Sequence, residues 1–194
     1  DNLSIINDFS CLIYAIPFLD RNQYKAIQSS DSSQSSQNNI VAIIGAGTGL
    51  GMAKGIINQN EIIALSSEGG HKEFAPRNQN EWDLSQWLKT DMNLKRLSIE
   101  RVISGSGLTN IARWRLSKEA NTNVNLKKYS SQMICDAAKA GDPLMKEVLE
   151  MWLSAYGSAA GDFALQELCS AGLWIGGGTA VKHLENFRSE VFLK

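Results

Sequence analysis

The chain has 194 residues, which is enough for one sizeable hydrophobic core or one large lobe. Its net charge of −1 argues against a nucleic-acid or membrane-surface partner, and no apolar run approaches the roughly 20 residues that cross a bilayer. Three widely spaced cysteines (Cys11, Cys135 and Cys169) predict buried reduced thiols, and neither a disulfide framework nor a zinc site. The composition therefore predicts a cytoplasmic globular domain.

The first segment is apolar and ends at Asn7-Asp8. We expect a short strand at Leu3–Ile6 and a helix at Phe9–Leu19. A carboxylate after a strand is well placed for catalysis, because α/β sheets bind ligands at the carboxyl ends of their strands. On spacing alone, however, a helix cap is the better explanation of Asp8.

A polar stretch of low complexity follows the first helix. Residues 29–39 read SSDSSQSSQNN, a composition that cannot contribute to a packed core. We therefore expect a mobile insertion loop at residues 20–39.

The next feature is an apolar strand, Ile40–Ile44, followed by the glycine loop GAGTGLG at Gly45–Gly51. A dinucleotide fingerprint does not fit, because Leu50 replaces its third glycine and two strands around a polar turn follow instead of a helix. Alternate glycines let the backbone approach an anion, and Thr48 adds a hydroxyl donor. A glycine-rich hairpin without any ligand explains the pattern equally well.

The rest of the chain is mainly helical in pattern. An apolar strand at Ala171–Ile175 runs into three glycines, Gly176–Gly178. Helical periodicity and punctuation predict helices at Asn80–Thr90, Leu108–Lys118, Ser130–Ala140, Pro143–Leu168 and Thr179–Glu190. Early strands, later helices and a final strand–glycine–helix unit are typical of a mixed α/β lobe.

Five sequence segments stand in the order seen in one family of enzymes. They are IINDF (5–9), GAGTGLG (45–51), EGGHKEFAPR (68–77), ERVISGSGL (100–108) and LWIGGG (173–178). From about Leu3 onward the chain resembles the bacterial glucokinases, which are ATP-dependent sugar kinases. This resemblance implies an α/β chain with the actin/hexokinase-like (ribonuclease H-like) ATPase fold, mainly its larger C-terminal lobe.

The resemblance also implies a sugar site. It assigns glucose binding to Asn7, Asp8, Glu68, His71 and Glu100. Asp8 would be the general base that accepts the proton of the 6-hydroxyl while the γ-phosphate of ATP is transferred to it. From the residues alone, a single histidine is usually structural, and a Glu followed by Arg101 would ordinarily form a solvated surface pair.

A nucleotide site follows from the same comparison. The resemblance places the phosphates at Gly45, Gly47, Thr48 and Gly49, and the adenosine against Gly176, Gly177 and Gly178. Close packing without a ligand would also explain the triple glycine. Magnesium is expected to arrive with ATP, held mainly by phosphate oxygens and water, so we assign no protein ligand to it.

The resemblance places the reaction at the first step of glycolysis, in a homodimer. The family's D-x-G-x-T loop is missing, and the family normally continues beyond Lys194, so we interpret residues 1–194 as a larger lobe truncated at both ends. This departure argues against catalysis by the chain alone. The alternatives are a kinase for another hexose or phosphoryl donor, a non-catalytic sugar-sensing module, and a dinucleotide-binding oxidoreductase. A zinc-dependent relative is disfavoured, since residues 74–100 contain no cysteine.

Overall fold

The computed structural model describes residues 5–28, 39–58, 61–119 and 129–194. Within these residues the strands form one four-stranded sheet of order β3-β2-β1-β4. The strands are β1 (Ile40–Ala46), β2 (Leu50–Asn58), β3 (Glu61–Ser67) and β4 (Leu173–Gly176). The first three strands pair in antiparallel fashion, whereas β4 runs parallel to β1.

Strand β1 is buried on both faces. Val41 and Ile43 pack with Ile13 of α1 (Asp8–Ala15), while Ala42 and Ile44 belong to the main core on the other face. Burial on both faces explains why β1 is a continuous apolar run without polar alternation.

The main core lies between the sheet and a layer of helices. These are α2 (Gln79–Asp91), α3 (Glu100–Ile103), α4 (Gly105–Ser117), α5 (Ser131–Ala140), α6 (Pro143–Glu167) and α7 (Glu190–Leu193). The longest of these, α6, buries Trp152, Tyr156 and Phe163 almost completely. The rings of Trp152 and Tyr156 meet edge to face at a centroid distance of 5.3 Å. An aromatic pair of this geometry adds to the free energy gained by burial.

Most sequence predictions of elements are confirmed, including the strand pair after the glycine loop and the helices now labelled α1, α2, α5 and α6. Helix α4 begins three residues earlier than predicted. Its N-cap is Ser104, whose Oγ accepts the N–H of Gly107 at 3.0 Å. The cap satisfies a backbone donor that would otherwise lack a partner, so the glycines fall inside the first turn.

The predicted helix at Thr179–Glu190 is wrong. The chain there forms successive turns, a single 3₁₀ turn at Asn186–Arg188 and the short α7. The reason is tertiary: the Thr179 hydroxyl bonds to the carbonyl of Ala46 at 2.8 Å, and His183 contacts Cys135 at 3.6 Å. These anchors override the helical pattern of the segment.

Two expectations near the N-terminus also need correction. Residues 3 and 4 of the strand predicted at Leu3–Ile6 lie outside the described residues, and Ile5 and Ile6 are not in a strand. Cys11 is exposed and Cys169 is only partly buried, whereas Cys135 is buried as expected; all three are free thiols.

The predicted insertion loop at residues 20–39 is described only in part, since residues 29–38 lie outside the described residues. Residues 20–28 are irregular but in contact with the body of the protein. The ring of Tyr24 packs edge-on against Trp174 at 5.2 Å, and Arg188 donates a hydrogen bond to the carbonyl of Ala26. Across the described residues, no helix combines the length and apolar character required to cross a membrane.

Candidate functional site

The glycine loop is shorter than its sequence predicts. Gly45 and Gly51 are strand residues that pair with each other, and only Gly47, Thr48 and Gly49 form the bend between β1 and β2. We call these three residues the glycine turn. Its own closing bond runs from the N–H of Gly47 to the carbonyl of Gly49 at 2.8 Å. The predicted seven-residue loop is therefore a tight hairpin bend.

The start of α4 holds the glycine turn from outside. The N–H of Gly105 donates to the carbonyl of Gly47 at 2.9 Å, and the hydroxyl of Ser106 donates to the carbonyl of Thr48 at 3.3 Å. Two of the three turn carbonyls, those of Gly47 and Thr48, are thus bound by α4. The turn cannot rotate about its strands without losing these bonds.

Two of the three N–H groups of the glycine turn remain available to a ligand, because the Gly47 N–H is already bound within the turn. Neither the Thr48 N–H nor the Gly49 N–H forms a hydrogen bond to another residue in the described ranges. Around Gly47, apart from its two chain neighbours, no described residue has an atom within 4 Å of the position of an added Cβ. Successive N–H groups beside open space are the arrangement that binds anions.

The triple glycine meets the glycine turn at the end of the sheet. Gly176 ends β4 opposite Gly45, and Gly177 then turns away with a φ of 82°. Around Gly178, as around Gly47, no described residue other than the chain neighbours has an atom within 4 Å of the position of an added Cβ. Since β1 and β4 are parallel, the segments that follow them lie at the carboxyl edge of the sheet, where α/β proteins bind ligands.

The three predicted sugar-binding residues outside the first helix come together. The imidazole Nδ1 of His71 lies 3.3 Å from Oε1 of Glu100, and its Nε2 lies 3.7 Å from Oε2 of Glu68. Glu68 and His71 are largely exposed, whereas the Glu100 side chain is 22% exposed. This sugar cluster (Glu68, His71 and Glu100) presents several hydrogen-bonding groups on an open surface.

Close backbone packing positions the sugar cluster on β2. An added Cβ at Gly70 would lie 2.0 Å from the carbonyl oxygen of Leu50, so only glycine allows this approach. From the other side, the guanidinium of Arg96 donates to the carbonyl of His71. The sequence gives no signal for this role of Arg96, which depends on a contact across 25 positions.

Glu100 connects the sugar cluster with the glycine turn. Its second carboxylate oxygen, Oε2, would lie 3.1 Å from a Cβ added to Gly49. The Glu100 carboxylate therefore has one oxygen beside His71 and the other beside the glycine turn. A small ligand at the sugar cluster would lie beside an anion at the glycine turn.

Asn7 and Asp8 lie at the start of α1, and the cap that spacing alone would assign to Asp8 is Asn7. Asn7 caps the helix, and its Oδ1 accepts the N–H groups of Phe9 and Ser10 at 3.0 and 3.1 Å. Asp8 is exposed in the first turn, and its Oδ1 accepts only the adjacent Phe9 N–H, at 2.9 Å. Because Asn7 does the capping, the carboxylate of Asp8 is left open to a ligand.

Phe9 connects the start of α1 with the glycine hairpin. Its ring occupies the space that side chains at positions 45 and 51 would fill: an added Cβ would lie 2.7 Å from the ring at Gly45 and 1.9 Å at Gly51. These two glycines are therefore explained by packing, and Gly45 presents no open face of its own. Asp8 is therefore adjacent in sequence to Phe9, whose ring packs directly on the hairpin of β1 and β2.

A second group of reactive side chains lies outside this site. Cys135 Sγ is 3.6 Å from Nε2 of His183, and the amide of Asn186 is 3.2 Å from its Nδ1. Burial raises the pKa of the Cys135 thiol and lowers the pKa of the His183 imidazole. Both shifts favour the neutral forms, so this cluster lacks the thiolate that nucleophilic catalysis needs.

His183 should make the stability of the protein depend on pH. Burial, with smaller contributions from Lys139 and Lys182, lowers its folded pKa below the ordinary 6.5. As the pH falls below about 6.5, the His183 imidazole is protonated in the unfolded chain but stays neutral in the folded chain. The free energy of unfolding therefore decreases. Above about pH 6.5 the imidazole is neutral in both states, and this loss of stability is absent.

The variant His183→Gln removes this titration. Free energies of unfolding from urea titrations between pH 5 and 7 should show a larger decline for the original protein than for the variant. Parallel declines would contradict the prediction.

An open cleft of about 640 Å³ lies apart from the candidate site. It is formed between α2, α4 and α6, and Arg115 is among its lining residues. The Arg115 guanidinium is already paired with Glu119 and Glu147 at 2.7 and 3.0 Å. The cleft contains none of the predicted site residues, and we assign it no ligand.

Comparison with known proteins identifies the fold and then the family. A crystal structure of glucokinase from an Antarctic psychrotroph superposes with a TM-score of 0.82 at 30% identity, over 97% of this chain and 56% of that one. A glucokinase from Balamuthia mandrillaris, solved with glucose, superposes with a TM-score of 0.64 at 19% identity, over 84% of this chain and 48% of that one. The chain has the actin/hexokinase-like α/β fold.

Sequence relatives agree with the structural neighbours. A glucokinase from Nostoc sp. is 34% identical over 98% of this chain and 60% of its own length. One from Synechocystis sp. is 35% identical over 93% of this chain and 55% of its own length. The family model described as Glucokinase matches residues 1–194. The chain therefore belongs to the glucokinase family, and it spans 55–60% of the length of these two relatives.

Proposed function

We propose that the protein is a glucokinase, which transfers the γ-phosphate of ATP to the 6-hydroxyl of glucose in the first step of glycolysis. One observation carries this proposal. Glu100 lies between His71, at 3.3 Å, and Gly49, whose added Cβ would be 3.1 Å away. The sugar cluster and the anion-binding turn are thus adjacent, as transfer of phosphate onto a sugar hydroxyl requires.

The proposed sugar site combines Asn7, Asp8, Glu68, His71 and Glu100. Asn7 uses its carbonyl oxygen as a helix cap, which leaves its amide NH₂ as a donor to the sugar. The carboxylate oxygens of Glu68 and Glu100 accept sugar hydroxyl protons. Asp8 is the general base, since its exposed carboxylate is free to accept the proton of the 6-hydroxyl as the new P–O bond forms.

The proposed nucleotide site has two parts. The free N–H groups of Thr48 and Gly49 bind phosphate oxygens, with Gly47 providing the open approach and Gly45 supporting the bend from within β1. The turn at Gly176–Gly178 lies against the adenosine. A glucokinase from Streptomyces griseus, solved with glucose and AMPPNP, shares the fold at a TM-score of 0.53 and 22% identity.

Magnesium would be bound by the phosphates of ATP and by water. Among the residues that the structure describes, no group of three or more His, Cys, Asp or Glu side chains is arranged to hold a metal ion. We assign the ion no protein ligand from these residues.

We further propose that residues 1–194 form the larger lobe of a two-lobed kinase, which functions as a homodimer in the cytoplasm. Coverage of 56% of a solved glucokinase supports the first part. Membership of the glucokinase family supports the proposed homodimer in the cytoplasm. Sedimentation of the complete product of the coding sequence tests the oligomeric state, and a single monomeric species would contradict it.

The test of function is ATP-dependent phosphorylation of glucose by the complete product of the coding sequence in which this chain lies. We expect glucose 6-phosphate and ADP in equal amounts, measured by coupled assay and by mass spectrometry. A panel of hexoses and phosphoryl donors runs beside it. Turnover of another sugar or donor would change the substrate assignment, whereas glucose binding without turnover would indicate a sugar-sensing module.

A further inference from the structure

We propose that Tyr156 and Thr179 are positioning residues for the glycine turn, and that they act by holding the peptide groups of Ala46. The inference rests on the proposed binding of nucleotide phosphates at that turn. Ala46 is the residue immediately before the turn, so its orientation determines where the Thr48 and Gly49 N–H groups point.

Ala46 lies where the pairing of β1 with β4 ends. That pairing runs to Gly45 opposite Gly176, after which the chain turns away at Gly177. The N–H and C=O of Ala46, which face the β4 side of β1, consequently have no strand to pair with. Ala46 is fully buried, so its N–H and C=O need partners inside the protein.

Tyr156 supplies the first partner from the core. Its hydroxyl oxygen accepts the N–H of Ala46 at 3.2 Å. The ring is fully buried on α6 and is packed against Trp152, Phe187 and Phe192 at centroid distances of 5.3, 5.4 and 5.7 Å. Packing on this scale fixes the ring, so the hydroxyl is a rigid acceptor.

Thr179 supplies the second partner from the nucleotide-binding side. Its hydroxyl donates to the carbonyl of Ala46 at 2.8 Å, and its N–H donates to the same oxygen at 3.3 Å. Thr179 follows directly after Gly176–Gly178. It therefore connects the proposed adenosine segment with the proposed phosphate turn through one carbonyl group.

The consequence is a selective effect on the nucleotide. Tyr156→Phe keeps the ring packing but leaves the buried Ala46 N–H without an acceptor. The glycine turn should then sample other orientations. We expect ADP affinity to fall about tenfold, because that change corresponds to the net free energy that one hydrogen bond contributes. Glucose affinity should stay within about twofold, because the sugar cluster is held by other contacts.

The experiment compares Tyr156→Phe, Thr179→Val and Thr179→Ser in the complete protein. Calorimetry measures the binding of ADP with Mg²⁺ and of glucose, well below the unfolding temperature of each variant. Thr179→Ser keeps the hydroxyl and should restore the affinity lost in Thr179→Val. Tyr24→Phe, on the irregular segment 20–28, is the matched control and should bind both ligands normally.

A second readout needs no ligand. In Tyr156→Phe, amide hydrogen exchange at Ala46 and the glycine turn should become about tenfold faster, while exchange in the middle of β1 stays unchanged. Unchanged exchange at Ala46, or an equal loss of ADP and glucose affinity, would overturn the inference. If the original protein binds no ADP, the proposed function fails instead, and the exchange data still decide whether Tyr156 holds the turn.

Discussion

The substitution Asp8→Asn should lower the turnover number for glucose phosphorylation by about 10²- to 10⁴-fold, the usual contribution of a general base. Asparagine has nearly the same shape as aspartate but cannot accept the proton of the 6-hydroxyl. Because Asn7 and not Asp8 caps α1, the helix should be unaffected. Initial rates measure turnover, and calorimetry with glucose measures binding, which should change by less than about threefold.

The matched control is Asp20→Asn, since Asp20 is also an exposed carboxylate near the N-terminus. It should leave turnover and glucose binding unchanged. A normal rate in Asp8→Asn would remove Asp8 from the mechanism. A loss of glucose affinity as large as the loss of turnover would instead assign Asp8 to sugar binding.

The second large effect is expected from Gly51→Ala. A methyl group at this position would lie 1.9 Å from the ring of Phe9, a distance that forces the ring or the strand to move. Overpacking of this kind costs about 1–3 kcal/mol in free energy of unfolding, measured by urea titration. Turnover should also fall, because Phe9 follows Asp8 and its displacement moves the proposed base.

Two comparisons make this prediction specific. Gly47→Ala places a methyl group where no described residue beyond its chain neighbours lies within 4 Å, so its free energy of unfolding should change by less than about 0.5 kcal/mol. The cost of Gly51→Ala should shrink when Phe9 is replaced by alanine in a double-mutant cycle. Simple additivity in that cycle would show that Phe9 is not the source of the strain.

Local patterns predicted the glycine hairpin well but not its length. The alternation of glycines and the strands on either side are properties of the sequence, and β1 to β3 are confirmed. The need for glycine at positions 45 and 51, which pair within the strands, depends on the Phe9 ring, which fills the space above both residues. A ring that packs from a distant helix has no signature in the loop sequence.

The proposed site shows the same division. The motif order predicted that Glu68, His71 and Glu100 belong to one site, and the structure brings them within ion-pair distance. Spacing alone favoured Asp8 as the cap of α1, but the cap is Asn7, because both residue types can cap a helix and their spacing does not choose between them. The extended backbone conformation of Asn7 makes it the cap of α1.

The sequence by itself determined the kind and order of most elements, since periodicity, caps and glycine punctuation act over a few residues. It also determined the family, through five motifs in a fixed order. Only the tertiary structure decided how the glycine turn is held and why the helix predicted at Thr179–Glu190 does not form. The physical reason is distance along the chain: Ala46 bonds to Tyr156, 110 positions away, and to Thr179, 133 positions away. Such bonds arise only when packing brings the partners together.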